Sequence, residues 1–246
     1  MRIEYFKHWS SHLNRDMEFK VYGQGGRPVL FIPCQSGRFF DFENFKMIDS
    51  WAPFLEAGKC TVYACDSLDD LAWAAKGADN RWRTENHERW YNYIVEELVP
   101  YINHLSGSQG QILTFGASMG AMHAANLFFR RPDLFNGVFA ISGLYDSYDF
   151  FGDYMDELLY NNCPVFYLKN MAPDHPYISM YNERQILVVV GRGRWEEPLI
   201  ESTDRLNQVL RDKGINATID YWGHDVDHDW PWWFKMVEHY LPYLLG

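Results

Sequence analysis

The sequence predicts an α/β protein in which a mostly parallel central sheet carries helices on both faces. Short continuous runs of Val, Ile, Leu and Phe alternate with longer segments whose apolar residues recur at helical spacing. Such alternation is typical of parallel strands that are buried on both sides. The length of 246 residues is ample for one large domain and short for two. We therefore expect residues 1–246 to form a single domain.

Eight strands and five helices follow from these patterns. The strands are predicted over residues 3–9, 17–22, 29–33, 60–64, 112–115, 137–141, 185–190 and 217–221. The first two flank a polar turn at 14–16, and most of the others are continuous apolar runs. The helices are predicted over residues 48–55, 85–105, 121–130, 198–213 and 232–245. The second helix shows apolar residues at helical spacing with acidic residues early in the run, and Pro132 ends the third.

Residues 145–182 interrupt the alternation of strands and helices. This stretch is rich in Tyr, Phe, Asp, Asn and Pro, and it contains one short helical pattern near 155–160. It follows a predicted strand, so it leaves the sheet at the carboxyl edge, where ligands bind in open α/β sheets. We expect it to form a cap-like insertion near the functional site.

The composition narrows the classes of partner and the cellular location. The formal net charge of −11 argues against nucleic acid or an anionic membrane surface, since both select clustered Lys and Arg. The four cysteines show no metal-ligand spacing, and the N-terminal residues lack the apolar segment of a secretion signal. We expect a cytoplasmic protein with reduced thiols. If the chain self-associates, a homodimer is the expected form.

The segment Gly116-Ala117-Ser118-Met119-Gly120 fits the pattern G-x-S-x-G. It lies between an apolar strand and a helix of small residues, the context in which this pattern places a reactive serine on a sharp turn. The two glycines allow the strand and the helix to approach closely. We therefore expect Ser118 to be a nucleophile and the backbone N–H of Met119 to stabilise the oxyanion. The alternative is an ordinary Gly/Ser turn.

A nucleophilic serine needs a base and a carboxylate that orients the base. With this strand–turn–helix motif the acid and the base follow the serine in that order, each after a later strand. The loop after the seventh predicted strand offers Glu196 and Glu197. The loop after the eighth offers His224 and His228, and Asp146, after the sixth strand, is a third candidate for the acid.

Three segments resemble the esterase D and feruloyl esterase group, which includes the mycolyltransferases. The sequence HDWPWW at 228–233 is similar to the group's His-x-Trp-x-x-Trp signature. GASMG at 116–120 resembles its nucleophile turn, and residues 34–45 resemble its loop after the third strand. The resemblance implies an α/β-hydrolase fold with His228 as the catalytic base. It also favours Glu196 as the acid, because Gly-x-Trp-Glu is similar to the arrangement in relatives.

The loop after the third predicted strand is expected to supply the second oxyanion donor. Gln35, Ser36 and Gly37 are candidates, and we favour the backbone N–H of Ser36. Aromatic residues on loops near such sites commonly form acyl or alcohol pockets. We therefore expect Phe39 and Trp195 to line a substrate pocket.

The remaining potential metal ligands and nucleophiles are interpreted without a role in catalysis. The tract at 224–229 holds two His and three Asp, all of which are potential metal ligands. All five lie on one loop, however, and a metal would leave Ser118 unexplained, so we expect no metal and no cofactor. Cys34 is interpreted as a buried apolar residue rather than a thiol nucleophile. His123 is interpreted as a packed residue without a role.

These observations together predict a serine carboxylesterase that acts on a small-molecule ester. We expect it to hydrolyse small acyl esters, acetyl or aromatic acyl, through an acyl-enzyme formed by Ser118, His228 and Glu196. Two alternatives remain open: an acyltransferase that uses the same three residues, and a non-catalytic hydrolase-like binding protein.

Overall fold

The eight strands in the part of the chain that the structure describes belong to one sheet. The structure is a computed structural model and describes residues 1–109 and 112–246. The strands are β1 (Ile3–Ser10), β2 (Arg15–Gly23), β3 (Arg27–Ile32), β4 (Cys60–Cys65), β5 (Ile112–Ala117), β6 (Phe135–Ile141), β7 (Gln185–Val190) and β8 (Thr218–Tyr221). Their order in the sheet is β1-β2-β4-β3-β5-β6-β7-β8. β2 pairs antiparallel with β1 and with β4, and the remaining pairs are parallel. The predicted strands match these to within two residues at each end.

The helices are more numerous than the sequence predicts. They are α1 (Asp41–Asn44), α2 (Met47–Glu56), α3 (Asn80–Asn92), α4 (Val99–Ser106), α5 (Met119–Arg130), α6 (Tyr148–Phe151), α7 (Glu157–Asn161), α8 (Pro164–Lys169), α9 (Pro176–Asn182), α10 (Glu197–Asp212) and α11 (Trp230–Leu245). The single helix expected at 85–105 corresponds to α3 and α4, which a π-helical segment, Tyr93–Leu98, joins. α3 begins at Asn80, earlier than predicted, because the side chain of Asp79 caps it by accepting a hydrogen bond from the N–H of Trp82.

Alternate residues of β3 enter two different apolar clusters, so the sheet is covered on both faces. Val29 and Phe31 pack in a cluster that includes α2 and α11. Leu30 and Ile32 pack in the other cluster, with α3, α4 and α5. Burying each of these side chains contributes about 1.5–3 kcal/mol. The predicted fold class, a mostly parallel sheet with helices on both faces, is confirmed.

Residues 145–182 contain four short helices, α6 to α9, where the sequence predicted one. Each has between four and seven residues, too few for an apolar period to become visible. Phe151 and Leu159 of this segment share an apolar cluster with Met119 and Met122 of α5. The segment therefore packs against the helix that follows Ser118, and its role as a cap stays a prediction.

None of the helices in the two described ranges combines the length and the apolarity needed to cross a bilayer.

Candidate active site

Ser118 lies on a sharp turn between β5 and α5. Its φ is +56°, in the left-handed region that side chains with a Cβ rarely adopt. A Cβ at position 116 would lie 2.4 Å from the backbone of Gly120, and one at position 120 would lie 2.3 Å from the carbonyl oxygen of Ile32. Glycine is therefore required at both positions, and the start of α5 lies directly against the carboxyl end of β3.

Three of the predicted residues come together at the carboxyl edge of the sheet. His228 Nε2 lies 2.9 Å from Ser118 Oγ, at hydrogen-bond distance. On the opposite side of the ring, His228 Nδ1 lies 3.5 Å from Glu196 Oε2. Neither of these last two buried atoms has a hydrogen-bond partner among the described residues. The separation is longer than a good hydrogen bond.

Packing fixes the imidazole and the carboxylate in this arrangement. The ring of Trp233 stands edge-on to that of His228, with centroids 4.9 Å apart and planes at 86°. The Glu196 side chain is 0% exposed, and its Oε1 accepts a 2.6 Å hydrogen bond from Ser142 Oγ. The hydrogen bond compensates part of the cost of burying a carboxylate. Sequence reasoning missed Ser142, although its position directly after β6 places it at the same edge as the other site residues.

The loops that carry Glu196 and His228 are bonded to each other. The Arg194 guanidinium donates two hydrogen bonds to Asp227 Oδ2, at 2.9 and 2.7 Å, and the Arg194 N–H donates to Oδ1 at 2.8 Å. The Arg194 carbonyl accepts from the N–H of His228 at 3.0 Å. A Cβ at Gly193 would lie 2.4 Å from Asp227 Oδ1, so the contact also depends on glycine there. Glu196 and His228 are thus positioned as one unit.

The alternative candidates for acid and base lie elsewhere. Glu197 is exposed at the first position of α10. Asp146 is buried, and its Oδ2 accepts hydrogen bonds from Ser202 Oγ at 2.7 Å and Arg205 Nε at 2.9 Å. His224 is exposed. The structure therefore brings Glu196 and His228 to Ser118, and it does not bring these three residues there.

The loop after β3 forms a tight turn beside the start of α5. Gly37 N–H donates to the Cys34 carbonyl at 2.8 Å, and Ser36 has a φ of +57° at the third position, which defines a type II turn. The Ser36 N–H donates to Asp69 Oδ2 at 3.2 Å. Both of these N–H groups thus have acceptors within the protein, which favours the neighbouring Gln35 N–H over that of Ser36 as an oxyanion donor. Among the described residues, none accepts a hydrogen bond from the Gln35 N–H.

Cys34 begins this turn and is partly buried. Burial raises the pKa of its thiol to about 12, with the carboxylates of Asp41 and Asp69 acting in the same direction. The side chain is therefore a neutral thiol near pH 7, and the interpretation as an apolar residue stands.

The two aromatic residues predicted to line a pocket have different surroundings. Phe39 is buried, with its ring centroid 5.7 Å from that of Tyr5 on β1. Since β1 is the first strand in the sheet order and β5 is the fifth, Phe39 packs toward the β1 end of the sheet, and its role in a pocket stays a prediction. Trp195 is 65% exposed, directly before Glu196. Its role in a pocket stays a prediction.

Two further aromatic residues lie beside the His228 loop. The rings of Phe45 and Trp230 stack in parallel, with centroids 4.6 Å apart and planes at 2°. Phe45 is 47% exposed. The stack joins the segment after α1 to the start of α11, so an aromatic surface borders the loop that carries the imidazole.

The carboxylates of the His/Asp-rich tract have other partners. Asp227 binds Arg194, and Asp229 accepts a hydrogen bond from the N–H of Trp230 at the start of α11. Asp225 and His224 are exposed. Across residues 1–109 and 112–246, no three His, Cys, Asp or Glu side chains are grouped as a metal site requires.

The fold and the three convergent side chains define a serine hydrolase of the α/β type. The chain belongs to the family described as putative esterases, whose sequence model matches residues 10–242. The resemblance seen in the sequence is confirmed, and with it the expectation of a carboxylic ester hydrolase. No curated protein sequence matches this chain significantly.

Several solved structures are similar to this chain over nearly its whole length. A ferulic acid esterase has a TM-score of 0.77 at 17% identity, covering 99% of this chain and 98% of that one. The fluorophosphonate-binding serine hydrolase FphF of Staphylococcus aureus has a TM-score of 0.73 at 13% identity, covering 100% and 98%. MPT51 (FbpC1) of Mycobacterium tuberculosis has a TM-score of 0.71 at 14% identity, covering 100% and 98%. At these identities the likeness concerns the fold.

Proposed function

We propose that the protein hydrolyses small carboxylic esters through an acyl-enzyme formed on Ser118. The observation that carries this proposal is the 2.9 Å separation between His228 Nε2 and Ser118 Oγ. At this distance His228 Nε2 can accept the hydroxyl proton. Ser118 lies on a turn of the kind that exposes the hydroxyl above the sheet edge.

Glu196 determines which of the two ring nitrogens of His228 carries the proton. A carboxylate beside Nδ1 favours the tautomer that carries its proton there, which leaves Nε2 free to accept the proton from Ser118. When Ser118 Oγ bonds to the ester carbonyl carbon, His228 becomes an imidazolium that the buried negative charge of Glu196 stabilises. The imidazolium then gives its proton to the departing alkoxide. A water molecule, deprotonated by His228, next attacks the acyl carbon and releases the acid and Ser118.

The backbone N–H groups of Met119 and Gln35 are the proposed oxyanion donors. Met119 is the first residue of α5, and the first N–H groups of a helix have no acceptor within the helix. The positive end of the helix also favours negative charge there. Gln35 is the residue whose N–H the turn after β3 leaves without an acceptor among the described residues. The close approach of Gly120 to Ile32 brings these two backbone segments together.

Small acyl esters, acetyl or aromatic acyl, are the proposed substrates. Exposed Trp195 beside Glu196 and the Phe45–Trp230 stack beside His228 offer flat apolar surface for an aromatic acyl or alcohol group. The likeness to a structure named ferulic acid esterase points in the same direction. Homodimer formation stays a prediction, and light scattering would test it.

The test compares variants of the two proposed reacting residues with a matched control. Ser118→Ala and His228→Ala are expected to lower kcat on p-nitrophenyl acetate by roughly 10⁶-fold, as in other serine hydrolases. His224→Ala, which removes the exposed histidine of the same loop, is expected to retain activity. A fluorophosphonate probe should label Ser118 in the wild-type protein and in His224→Ala, and it should not label Ser118→Ala. Absence of labelling and of hydrolysis would instead support a binding protein, and acyl transfer to an added alcohol in preference to water would indicate an acyltransferase.

A further inference from the structure

A buried pair, Asp69 and His123, lies behind the turn that carries Gln35. His123 Nε2 is 2.8 Å from Asp69 Oδ1, and the two side chains are 1% and 2% exposed. The catalytic steps described above use neither residue. A buried carboxylate and imidazole are costly unless they are paired, and an apolar pair of the same volume is often as stable.

The second oxygen of the same carboxylate binds the turn after β3. Asp69 Oδ2 accepts the Ser36 N–H at 3.2 Å. This N–H belongs to the peptide group that joins Gln35 to Ser36, so its direction sets the plane of that peptide. Hydrogen bonds to a carboxylate are stronger than those between neutral groups. Asp69 therefore restrains the orientation of Gln35, whose own N–H is a proposed oxyanion donor.

The imidazole of the pair belongs to the helix that carries the other proposed donor. His123 lies four residues after Met119 in α5, which is about one helical turn. Its ring is enclosed by three others: centroids of Trp73, Trp90 and His87 lie 6.3, 5.2 and 4.9 Å away. Packing on these sides fixes the ring, so Asp69 is held against α5.

We infer that Asp69 and His123 are positioning residues that align the Gln35 N–H with the Met119 N–H at the oxyanion. The chain of contacts runs from α5 through His123 and Asp69 to the Ser36 N–H and so to Gln35. The inference rests on the proposed function, because the alignment matters only if an oxyanion forms at Ser118. An offset of an oxyanion donor weakens transition-state binding and leaves ground-state binding nearly unchanged.

The test separates the hydrogen bond from the packing. His123→Phe keeps a flat ring without a donor, whereas His123→Gln places an amide N–H near Nε2 and retains a bond to Asp69. Asp69→Asn leaves one acceptor oxygen in place of the two that bind His123 Nε2 and the Ser36 N–H. The control is Asn126→Leu. Asn126 lies three residues after His123 in α5, and the substitution removes its buried 2.7 Å hydrogen bond to Asn162.

Each variant is assayed for kcat and KM on p-nitrophenyl acetate and for Ki of a trifluoromethyl ketone. The ketone forms a hemiketal with the serine and places its oxyanion at the two N–H groups. His123→Phe and Asp69→Asn are expected to lower kcat by roughly 10–100-fold, less than the loss of a whole donor, with KM within about threefold. Ki should rise in proportion to the loss in kcat/KM. His123→Gln should recover most of the activity, and Asn126→Leu should lower Tm while keeping kcat.

Wild-type kcat and Ki in His123→Phe would overturn the inference, as would His123→Gln impaired to the same degree as His123→Phe. If His123→Phe does not fold, Asp69→Asn decides by itself through the same proportionality between Ki and kcat/KM. A wild-type protein that takes no fluorophosphonate adduct on Ser118 would overturn the proposed function and this inference with it. An adduct together with unimpaired variants would overturn this inference alone.

Discussion

Ser142 Oγ donates a 2.6 Å hydrogen bond to Oε1 of Glu196, on the opposite side of the carboxylate from His228. Both side chains are fully buried. Ser142 has a φ of +52°, and its N–H donates to the Val189 carbonyl at 2.7 Å, which holds this strained backbone in place. Because Ser142 follows β6 and Glu196 follows β7, the bond joins the ends of two neighbouring strands and fixes the orientation of the proposed acid.

Ser142→Ala is expected to lower kcat/KM by about tenfold. The substitution removes the hydrogen bond to Oε1, so neither oxygen of the buried carboxylate keeps a hydrogen-bond partner among the described residues. Losing such a bond costs about 1–3 kcal/mol, and a tenfold change in rate corresponds to about 1.4 kcal/mol. Steady-state kinetics on p-nitrophenyl acetate measure the effect. Ser202→Ala is the control, because it removes a buried hydroxyl bonded to Asp146 and Tyr145 without touching Glu196. Equal losses in the two variants would contradict a specific role for Ser142.

Gln35→Pro tests the oxyanion donor without removing any side chain from the site. Proline is favoured at the second position of a type II turn, so the turn is retained while the N–H is lost. We expect kcat to fall by about 10²–10³-fold, as for loss of one oxyanion donor. Gln35→Ala keeps the N–H and is expected to retain most of the activity. A proline variant with wild-type kcat and unchanged Tm would show that another group binds the oxyanion.

The link between Arg194 and Asp227 is expected to contribute to catalysis more than to stability. The Arg194 side chain is 75% exposed, and exposed ion pairs stabilise proteins by only about 0–1 kcal/mol. Asp227→Ala separates the loops of Glu196 and His228, so we expect kcat to fall by roughly three- to tenfold with a small change in Tm. Asp133→Ala breaks a similar two-bond pair with Arg131 away from the site and should leave kcat unchanged. Similar kcat values in both variants would contradict this role.

Strands and the nucleophile turn are predictable from the sequence because their signals are local. The apolar runs that became β3, β5, β6 and β7 are buried on both faces, and a continuous run is the direct consequence of that burial. The nucleophile turn around Ser118 is equally predictable. Its two glycines are required by contacts within a few residues and with one adjacent strand.

The choice between neighbouring candidates depends on tertiary contacts that the sequence does not record. Glu196 and Glu197 differ by one position, yet one is 0% exposed and the other is exposed, because Glu197 already belongs to α10. The sequence does not separate Ser36 from Gln35 as an oxyanion donor, because the acceptor of the Ser36 N–H, Asp69, lies 33 residues away. The sequence likewise indicates no role for His123, because its partner, Asp69, lies 54 residues earlier in the chain.

His87 is expected to make the protein less stable in mild acid. Its ring lies between those of Trp90 and His123, at 5.6 and 4.9 Å, and burial lowers its pKa well below 6.5, with His123 and Arg130 acting in the same direction. The unfolded chain binds a proton at this residue below about pH 6.5, whereas the folded chain does not. Its contribution to stability is therefore complete above that pH. It is lost as the pH falls, at up to about 1.4 kcal/mol per pH unit.

His87→Gln removes this difference in proton binding between the folded and unfolded states. The measurement is urea unfolding at pH 7.5, 6.0 and 5.0, and the free energy of unfolding should fall less steeply with acid in the variant. At pH 5.0 the difference between the two slopes should correspond to nearly one bound proton. The glutamine is expected to lower stability at pH 7.5, because it replaces a packed ring, so the slope and not the absolute value carries the result. His104→Gln, which removes an exposed histidine from α4, should leave the slope unchanged. If His87→Gln retains the wild-type slope, the imidazole is protonated in the folded protein, and the buried stack with His123 must accommodate a charge.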